Sequence, residues 1–144
     1  MTTKIRHLLS ATAVAVFFVL AIASSDDKAT ETEISANTPE ISISAQQLYQ
    51  EYDENEVAAD LKYKDKVLLV SGTVDEIAKD ITDNIYVTLK GDEFIGDAQC
   101  FFADNHTDEA AQLKKGMKIT IKGMCDGKMM NILLRGCSLQ TDKK

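Results

Sequence analysis

The sequence predicts one mainly β domain, a small closed barrel of five strands with a short helical region in front of it. The run from Lys66 to Ile77 is aliphatic and free of proline, which is typical of a long strand. Gly72 within that run is typical of a bend or bulge at a barrel corner. Four further runs predict the remaining strands, at Asn84 to Lys90, Ala98 to Ala103, Met117 to Cys125 and Asn131 to Leu139.

The N-terminal 23 residues have the layout of an export signal. Lys4 and Arg6 precede an apolar run from Leu8 to Ala23, and polar residues follow at once. The run ends in a small-x-small site, so signal cleavage is predicted between Ala23 and Ser24. The alternative is an uncleaved inner-membrane anchor, although a run of 16 residues falls short of the roughly 20 that a spanning helix needs. We expect a periplasmic or secreted protein with no stable membrane insertion after cleavage.

Composition divides the rest of the chain into a linker, a domain and a tail, and the net charge disfavours some classes of binding partner. Residues 24–43 are acidic and poor in apolar side chains, which predicts a disordered linker. Residues 44–140 form the predicted barrel domain, and residues 141–144 form a polar tail. Because the signal carries two of the 16 basic residues, its removal leaves 14 against 23 acidic residues, a net charge of −9. This charge opposes general binding to nucleic acid or to anionic membranes.

The domain is predicted to begin with helices. Ser44 and Gln47 have the spacing of a capping box, and Asp53 or Asn55 can start a second short helix. Three aromatic side chains are interpreted as a packing face rather than a binding stripe, and they are Tyr49, Tyr52 and Tyr63.

Turn and cap residues separate the predicted strands. The stretch Gly91–Asp97 forms a glycine-punctuated loop before the third strand, and Asp126–Lys128 is predicted to turn the chain between the fourth and fifth strands. Thr107, Asp108 and Glu109 cap a short helix that Gly116 ends. A Greek-key barrel of five strands with one short helix between strands 3 and 4 is an OB-fold, which is the predicted fold class.

A set of motifs carries a family resemblance. The motifs are Asn55-Glu56-Val57-Ala58-Ala59-Asp60, Val70-Ser71-Gly72-Thr73-Val74, Gln99-Cys100-Phe101-Phe102, Leu113-Lys114-Lys115-Gly116, Gly123-Met124-Cys125-Asp126-Gly127 and Cys137-Ser138-Leu139. With them the sequence resembles the tRNA-anti-like OB-fold family of exported bacterial proteins over about Ala45 to Leu139. The resemblance implies an OB-fold and no particular biochemical function. The sequence departs from lipoprotein-type members because no cysteine lies near the predicted cleavage site.

The three cysteines, Cys100, Cys125 and Cys137, are predicted to point into the barrel. In an oxidising compartment two of them are expected to pair. Cys100–Cys137 is favoured, since strands three and five are parallel neighbours in an OB barrel. A hairpin turning at Gly127 would separate Cys125 from Cys137 by roughly eight residues, too far for a disulfide. Cys125–Cys137 with an irregular hairpin and three reduced buried thiols are the alternatives.

Catalytic chemistry is not predicted. No Ser or Cys nucleophile has a base partner at a known motif spacing, and no phosphate-binding or dinucleotide-binding glycine motif occurs. His106 is interpreted as a solvated loop residue. Asp92, Glu93 and Asp97 are interpreted as a solvated acidic turn that lacks the spacing of a calcium loop. The sequence therefore predicts a protein that is not an enzyme and has no metal site and no cofactor.

The candidate ligand-binding surface is the outer face of the second and third strands, where OB-folds bind ligands. Its predicted side chains are Tyr86, Thr88, Lys90, Gln99 and Phe101, with Ser71 and Thr73 beside them. The alternative is that the preceding helix covers this face, with Phe101 packing against Leu48 or Tyr52.

We expect an exported module that binds a small ligand, a peptide, a glycan or an envelope protein through this face. The alternative is a single-stranded nucleic-acid binding protein that uses lysines, namely Lys62, Lys64, Lys66, Lys90 and Lys122. The fold favours this alternative, whereas the net charge and the export signal oppose it.

Overall fold

The computed structural model describes residues 34, 38–39, 41–91 and 96–141. The predicted export signal, its cleavage site at Ala23 and Ser24, and the loop residues Asp92 and Glu93 lie outside the described residues. The elements run in the order β1 Ile41–Ser44, α1 Ala45–Glu54, α2 Glu56–Tyr63, β2 Val67–Lys79, β3 Ile85–Lys90, β4 Asp97–Phe102, a 3-10 turn Asp104–His106, α3 Thr107–Ala111, β5 Lys118–Lys128 and β6 Ile132–Leu139.

Five strands close into a barrel, which confirms the predicted fold class. Strand β2 pairs with β3 through its C-terminal half and with β5 through its N-terminal half. Strands β3 and β4 are antiparallel, β4 and β6 are parallel, and β5 and β6 are antiparallel. Strand β1 lies outside the barrel and pairs in parallel with β2. Helix α3 stands between β4 and β5, as the sequence predicts.

The bend of β2 lies C-terminal to Gly72, the residue at which the sequence predicted it. The pairing with β3 shifts register between Val74 and Glu76, so the bulge lies at Asp75. Gly72 serves close packing instead, because a Cβ atom there would lie 3.0 Å from the Cβ of Leu89 and 3.2 Å from that of Ala45. A glycine therefore lets helix α1 approach the barrel wall.

The predicted turn at Asp126–Lys128 is wrong. Strand β5 continues to Lys128, and the hairpin tip is formed by residues 129–131, where Met129 N–H donates to the carbonyl of Asn131 at 3.0 Å. Gly127 has a φ of +95° and lies at a register shift, so it bends the strand without ending it.

The pairing of β5 with β6 brings Cys125 closer to Cys137 than the sequence suggested. Cys125 lies opposite Leu134 on β6, only three positions from Cys137, so the estimated separation of about eight residues was too large. All three cysteines are fully buried, which confirms their inward orientation, and no disulfide joins any two of them in the structure. The disulfides Cys100–Cys137 and Cys125–Cys137 stay predictions.

The sheet begins earlier than the predicted domain boundary. Strand β1 starts at Ile41, inside the segment that the sequence assigns to the linker, and Ile41 lies opposite Leu68 of β2. Ile43 is 8% exposed and joins the main core. Two isoleucines at alternate positions were therefore enough to add a short strand to an existing edge.

Side-chain caps begin the first two helices. Ser44 Oγ accepts from the backbone N–H of Gln47 at 3.1 Å, and Asn55 Oδ1 accepts from that of Ala58 at 3.1 Å. The reciprocal half of the predicted capping box does not form, because the Gln47 amide donates to Glu51 instead. The predicted packing face is confirmed by side chains that are at most 6% exposed, namely Tyr49, Tyr52 and Tyr63.

Glu51 joins the two helices. Its Oε2 accepts a hydrogen bond from the Tyr63 hydroxyl at 2.6 Å and lies 2.7 Å from the Lys62 ammonium nitrogen. Hydrogen bonds from Lys62 and then from Tyr63 hold the pKa of the Glu51 carboxyl below its usual value. The ionised form is thus favoured in the folded protein.

Glu51→Gln is expected to lower the free energy of unfolding by about 1 kcal/mol at pH 7. Because folding lowers the pKa of Glu51, this stabilisation is present above the unfolded pKa and is lost as the pH falls through the folded pKa. Urea denaturation at pH 7 and at about pH 3 checks both statements. The variant and the wild type should converge in acid, and an equal difference at both pH values would contradict the assignment. Glu54→Gln, on the same helix, is the control.

Candidate functional site

An aromatic pair stands on the outer surface of β3 and β4. Tyr86 lies directly opposite Phe101 in the register of the two strands, with ring centroids 5.8 Å apart and planes tilted by 55°. Their neighbours Val87, Cys100 and Phe102 point inward and are buried. Alternation along the strands therefore places both rings outward, where they are partly exposed.

Leu48 and Tyr52, which the alternative interpretation placed against Phe101, lie in the main core, together with inward-facing residues such as Val70. The Tyr52 hydroxyl lies 3.4 Å from the sulfur of Cys125, on the inward side of β5. The two side chains of helix α1 therefore cover the core, and the ring of Phe101 packs against that of Tyr86.

Thr88 is buried, whereas the sequence predicted that its side chain faces outward. It is 4% exposed, and its Oγ1 accepts a hydrogen bond from the backbone N–H of Glu76 at 3.1 Å. This bond satisfies a donor that the bulge in β2 removes from the regular ladder. Thr88 therefore supports the strand pairing and offers little surface to a ligand.

Gln99 lies beside the aromatic pair and is already oriented. Its Oε1 accepts from the side-chain amide of Asn131 at 3.2 Å, and Asn131 Oδ1 in turn accepts from the backbone N–H of Asp97 at 3.1 Å. Asn131 belongs to the tip between β5 and β6, so this network holds that hairpin against the start of β4.

Thr73 and Lys90 face a neighbouring hollow of about 410 Å³ rather than the aromatic pair. The hollow also contains Asp75, whose Oδ1 lies 3.1 Å from the Lys115 nitrogen and 4.0 Å from that of Lys90. The structure thus brings Tyr86, Phe101 and Gln99 together on one surface. We call this surface, bounded by these three residues, the aromatic face.

Carboxylates that the sequence did not assign to the site border the aromatic face. The Tyr86 hydroxyl donates to Glu76 Oε2 at 3.4 Å. Burial raises the pKa of Tyr86, and the negative charges of Glu76 and Asp80 raise it further. The spacing of these acids gave no signal in the sequence, since they come from β2 and the following turn and meet β3 only through pairing.

Asp97 is partly buried, so the interpretation of it as part of a solvated acidic turn is wrong. Its Oδ1 accepts from the backbone N–H of Gly91 at 3.1 Å. Burial raises the pKa of the Asp97 carboxyl, and the charges of Asp75 and Glu76 raise it further, while the bond from Gly91 opposes them. At the aromatic pair itself, the negative charges of Glu76 and Asp80 favour neutral or positively charged ligands over anions.

Two hairpin tips border the aromatic face at opposite ends of β4. At one end, Asp80 ties its turn together by accepting hydrogen bonds from Thr82 and Asn84, and it leaves Ile81 fully exposed at the tip. At the other end, Met129 and Met130 are 80% and 87% exposed. The sequence predicted a turn at Asp80 to Asn84, but it did not place Ile81, Met129 or Met130 beside the candidate surface, because that requires the positions of the neighbouring strands.

The lysines of the nucleic-acid interpretation lie on three separate parts of the fold: around helix α2, on β3 and on β5. Lys62 lies 2.7 Å from Glu51, and Lys64 lies 4.0 Å from Asp60. Lys122 pairs with positions on β2 and β6, on the side of the barrel away from β3. These five side chains do not form one basic groove.

His106 is held by an ion-pair geometry rather than being free in solvent. Its Nδ1 lies 2.8 Å from Glu109 Oε1, and the other oxygen of Glu109 accepts from the backbone N–H of Leu139. Within the described part of the chain, no group of three or more His, Cys, Asp or Glu side chains is arranged to hold a metal ion. None of the described helices is both long enough and apolar enough to cross a membrane.

The sequence model of the tRNA_anti-like family matches residues 1–138 of the chain. The chain belongs to the tRNA_anti-like family. This confirms the resemblance carried by the sequence motifs. No curated protein matches the chain.

This tRNA_anti-like protein is similar in fold to a crystal structure of a "putative nucleic acid-binding lipoprotein" from Klebsiella pneumoniae subsp. pneumoniae MGH 78578. The two share 18% sequence identity, with a TM-score of 0.59, over 79% of this chain and 100% of the other. At this identity the likeness extends to the fold alone.

Proposed function

We propose that this protein is an exported, non-enzymatic binding module whose aromatic face takes a neutral or positively charged ligand. A small molecule, a peptide, a glycan or an exposed segment of an envelope protein fits this description. The observation that carries the proposal is the pair of outward rings, Tyr86 and Phe101, 5.8 Å apart and bordered by Glu76 and Asp80. Aromatic faces bind sugars, peptides and cations, and nearby carboxylates strengthen the attraction for a cation.

Export is supported by the charged and apolar layout of residues 1–23. The structural neighbour is named a lipoprotein, which supports a location in the cell envelope. The non-enzymatic part of the proposal rests on the sequence, in which no nucleophile has a base partner at a known motif spacing.

A second candidate is single-stranded nucleic-acid binding. It is favoured by the name of the structural neighbour and by the ability of outward aromatic rings on an OB barrel to stack on bases. The acids beside Tyr86 oppose it, since a nucleic-acid backbone would bring phosphates toward Glu76 and Asp80.

Titrations followed by NMR of the isotope-labelled protein distinguish the two candidates. The probes are a tripeptide of tryptophan between two lysines, a neutral disaccharide of N-acetylglucosamine, and an oligothymidine of about eight nucleotides, a length within the usual OB-fold site size. We expect the peptide or the disaccharide to shift the backbone signals of Tyr86, Gln99 and Phe101, and the oligonucleotide to leave them unchanged.

Oligonucleotide binding at this face that weakens steeply between about 50 and 200 mM salt would instead support the second candidate. Shifts confined to another part of the barrel would contradict both assignments of the face. Phe101→Ala is the matched variant, because it removes one ring and no charge.

A further inference from the structure

A second, smaller apolar cluster lies on the outside of the barrel, apart from the main core. Its members are Ile34, Val67 and Met124, which are 0%, 3% and 8% exposed. Val67 and Met124 are register partners on β2 and β5. Their side chains point outward, since the next residues, Leu68 and Cys125, are buried in the main core. Ile34 covers this outward pair, although it precedes the first strand by seven positions.

The site that receives Ile34 is shaped by a glycine. Gly136 on β6 has a φ of +59°, and a Cβ atom there would lie 2.9 Å from Ile34 Cδ1 and 3.2 Å from Ile34 Cβ. The Ile34 side chain therefore rests directly on bare backbone. We call the surface formed by Val67, Met124 and Gly136 the socket.

Arg135 fixes one wall of the socket. Its Nη2 lies 3.0 Å from the Met124 sulfur, and its Nε donates to Asp126 Oδ1 at 2.8 Å. A methionine is flexible when free, so this contact holds its side chain in one place beside Ile34. The socket is thus a defined site for a single aliphatic side chain.

We propose that Ile34 docks in this socket as a strap that binds the N-terminal segment to the β5 side of the barrel. Around the barrel, β5 is separated from β3 by β2 and from β4 by β6. The docked Ile34 therefore lies on the side of the barrel opposite the aromatic face. The proposal rests on the buried Ile34 and its three contacts, and it does not depend on the proposed function.

Limited proteolysis of the full protein isolated from exporting cells tests the strap. A glutamate-specific protease can cut after Glu33, but the Glu33–Ile34 bond cannot enter its active site while Ile34 is docked. Met124→Ala removes one wall of the socket and leaves the cleaved sequence intact. We expect it to speed cleavage after Glu33 by about tenfold, since the cleavage rate follows the population of the opened state. Met130→Ala is the matched control, because Met130 is 87% exposed.

Cleavage after Glu51, inside α1, reports whether Met124→Ala has loosened the whole domain. If both sites are cut faster, Ile34→Ser decides, since it removes only the docked side chain and should raise cleavage after Glu31 without raising cleavage after Glu51. The proposal is overturned if the wild type is cut after Glu33 as fast as a free peptide of the same sequence. It is also overturned if Met124→Ala and Met130→Ala are cut there at the same rate, or if Ile34→Ser leaves cleavage after Glu31 unchanged.

Discussion

Tyr52→Ala is expected to lower the free energy of unfolding by about 3 to 5 kcal/mol, the usual cost of removing a large buried aromatic side chain. Tyr52 is 1% exposed, and its ring lies 6.2 Å from that of Tyr63. Its hydroxyl donates to Asp60 Oδ1 at 3.0 Å and lies 3.4 Å from the Cys125 sulfur. One side chain therefore joins α1, α2 and the inward face of β5, so its loss should open a cavity between all three elements.

Urea denaturation of the wild type and of Tyr52→Ala measures this loss of stability. Tyr52→Phe keeps the ring and removes only the hydroxyl, so it should cost about 1 kcal/mol. Leu61→Ala, at an 83% exposed position on α2, should change the free energy of unfolding by less than about 0.5 kcal/mol. A loss below about 1 kcal/mol for Tyr52→Ala would mean that the two helices are not part of the cooperative domain.

Phe101→Ala is expected to weaken the binding of whichever probe shifts the aromatic face by about tenfold or more, since a stacked ring contributes about 1 to 3 kcal/mol. The ring points away from the core and contacts Tyr86, so its removal should leave the barrel folded. Tyr86→Phe keeps the second ring and loses only the 3.4 Å bond to Glu76. It should therefore bind nearly as well as the wild type.

Isothermal titration of each variant gives the change in Kd, and a denaturation curve confirms that each is folded. Met117→Ala is the control in a separate groove of about 570 Å³, which is lined among others by Leu113, Ile119 and Leu139. An unchanged Kd for Phe101→Ala, together with a raised Kd for Met117→Ala, would place the ligand in that groove and refute the assignment of the aromatic face.

Much of the fold followed from local patterns. The aliphatic run at Lys66 to Ile77 became β2, and the alternation at Asn84 to Lys90 became β3. Ser44 and Asn55 start the helices predicted for them. Such features are decided within a few residues, by side-chain period and by a polar side chain that reaches a nearby backbone N–H.

The errors arose where a local signal was ambiguous. Asp126-Gly127-Lys128 has the composition of a turn, but the pairing of β5 with β6 continues through it with a bulge at Asp126. Thr88 alternates with buried residues and so was predicted to face outward, yet the bulge in β2 supplies a backbone N–H that occupies its hydroxyl. In both cases the pairing with the next strand, and not the local composition, decided the outcome.

Some features of the candidate site could likewise be predicted from local patterns, whereas others were decided only by the tertiary structure. Its outward rings, Tyr86 and Phe101, could be predicted, because alternation along a strand is a local property that survives folding. The acids and hairpin tips around them, and the docking of Ile34 on Gly136, could not be predicted. They depend on which strands become neighbours and on the exact register between them, and those are set by packing of the whole barrel rather than by any short stretch of the chain.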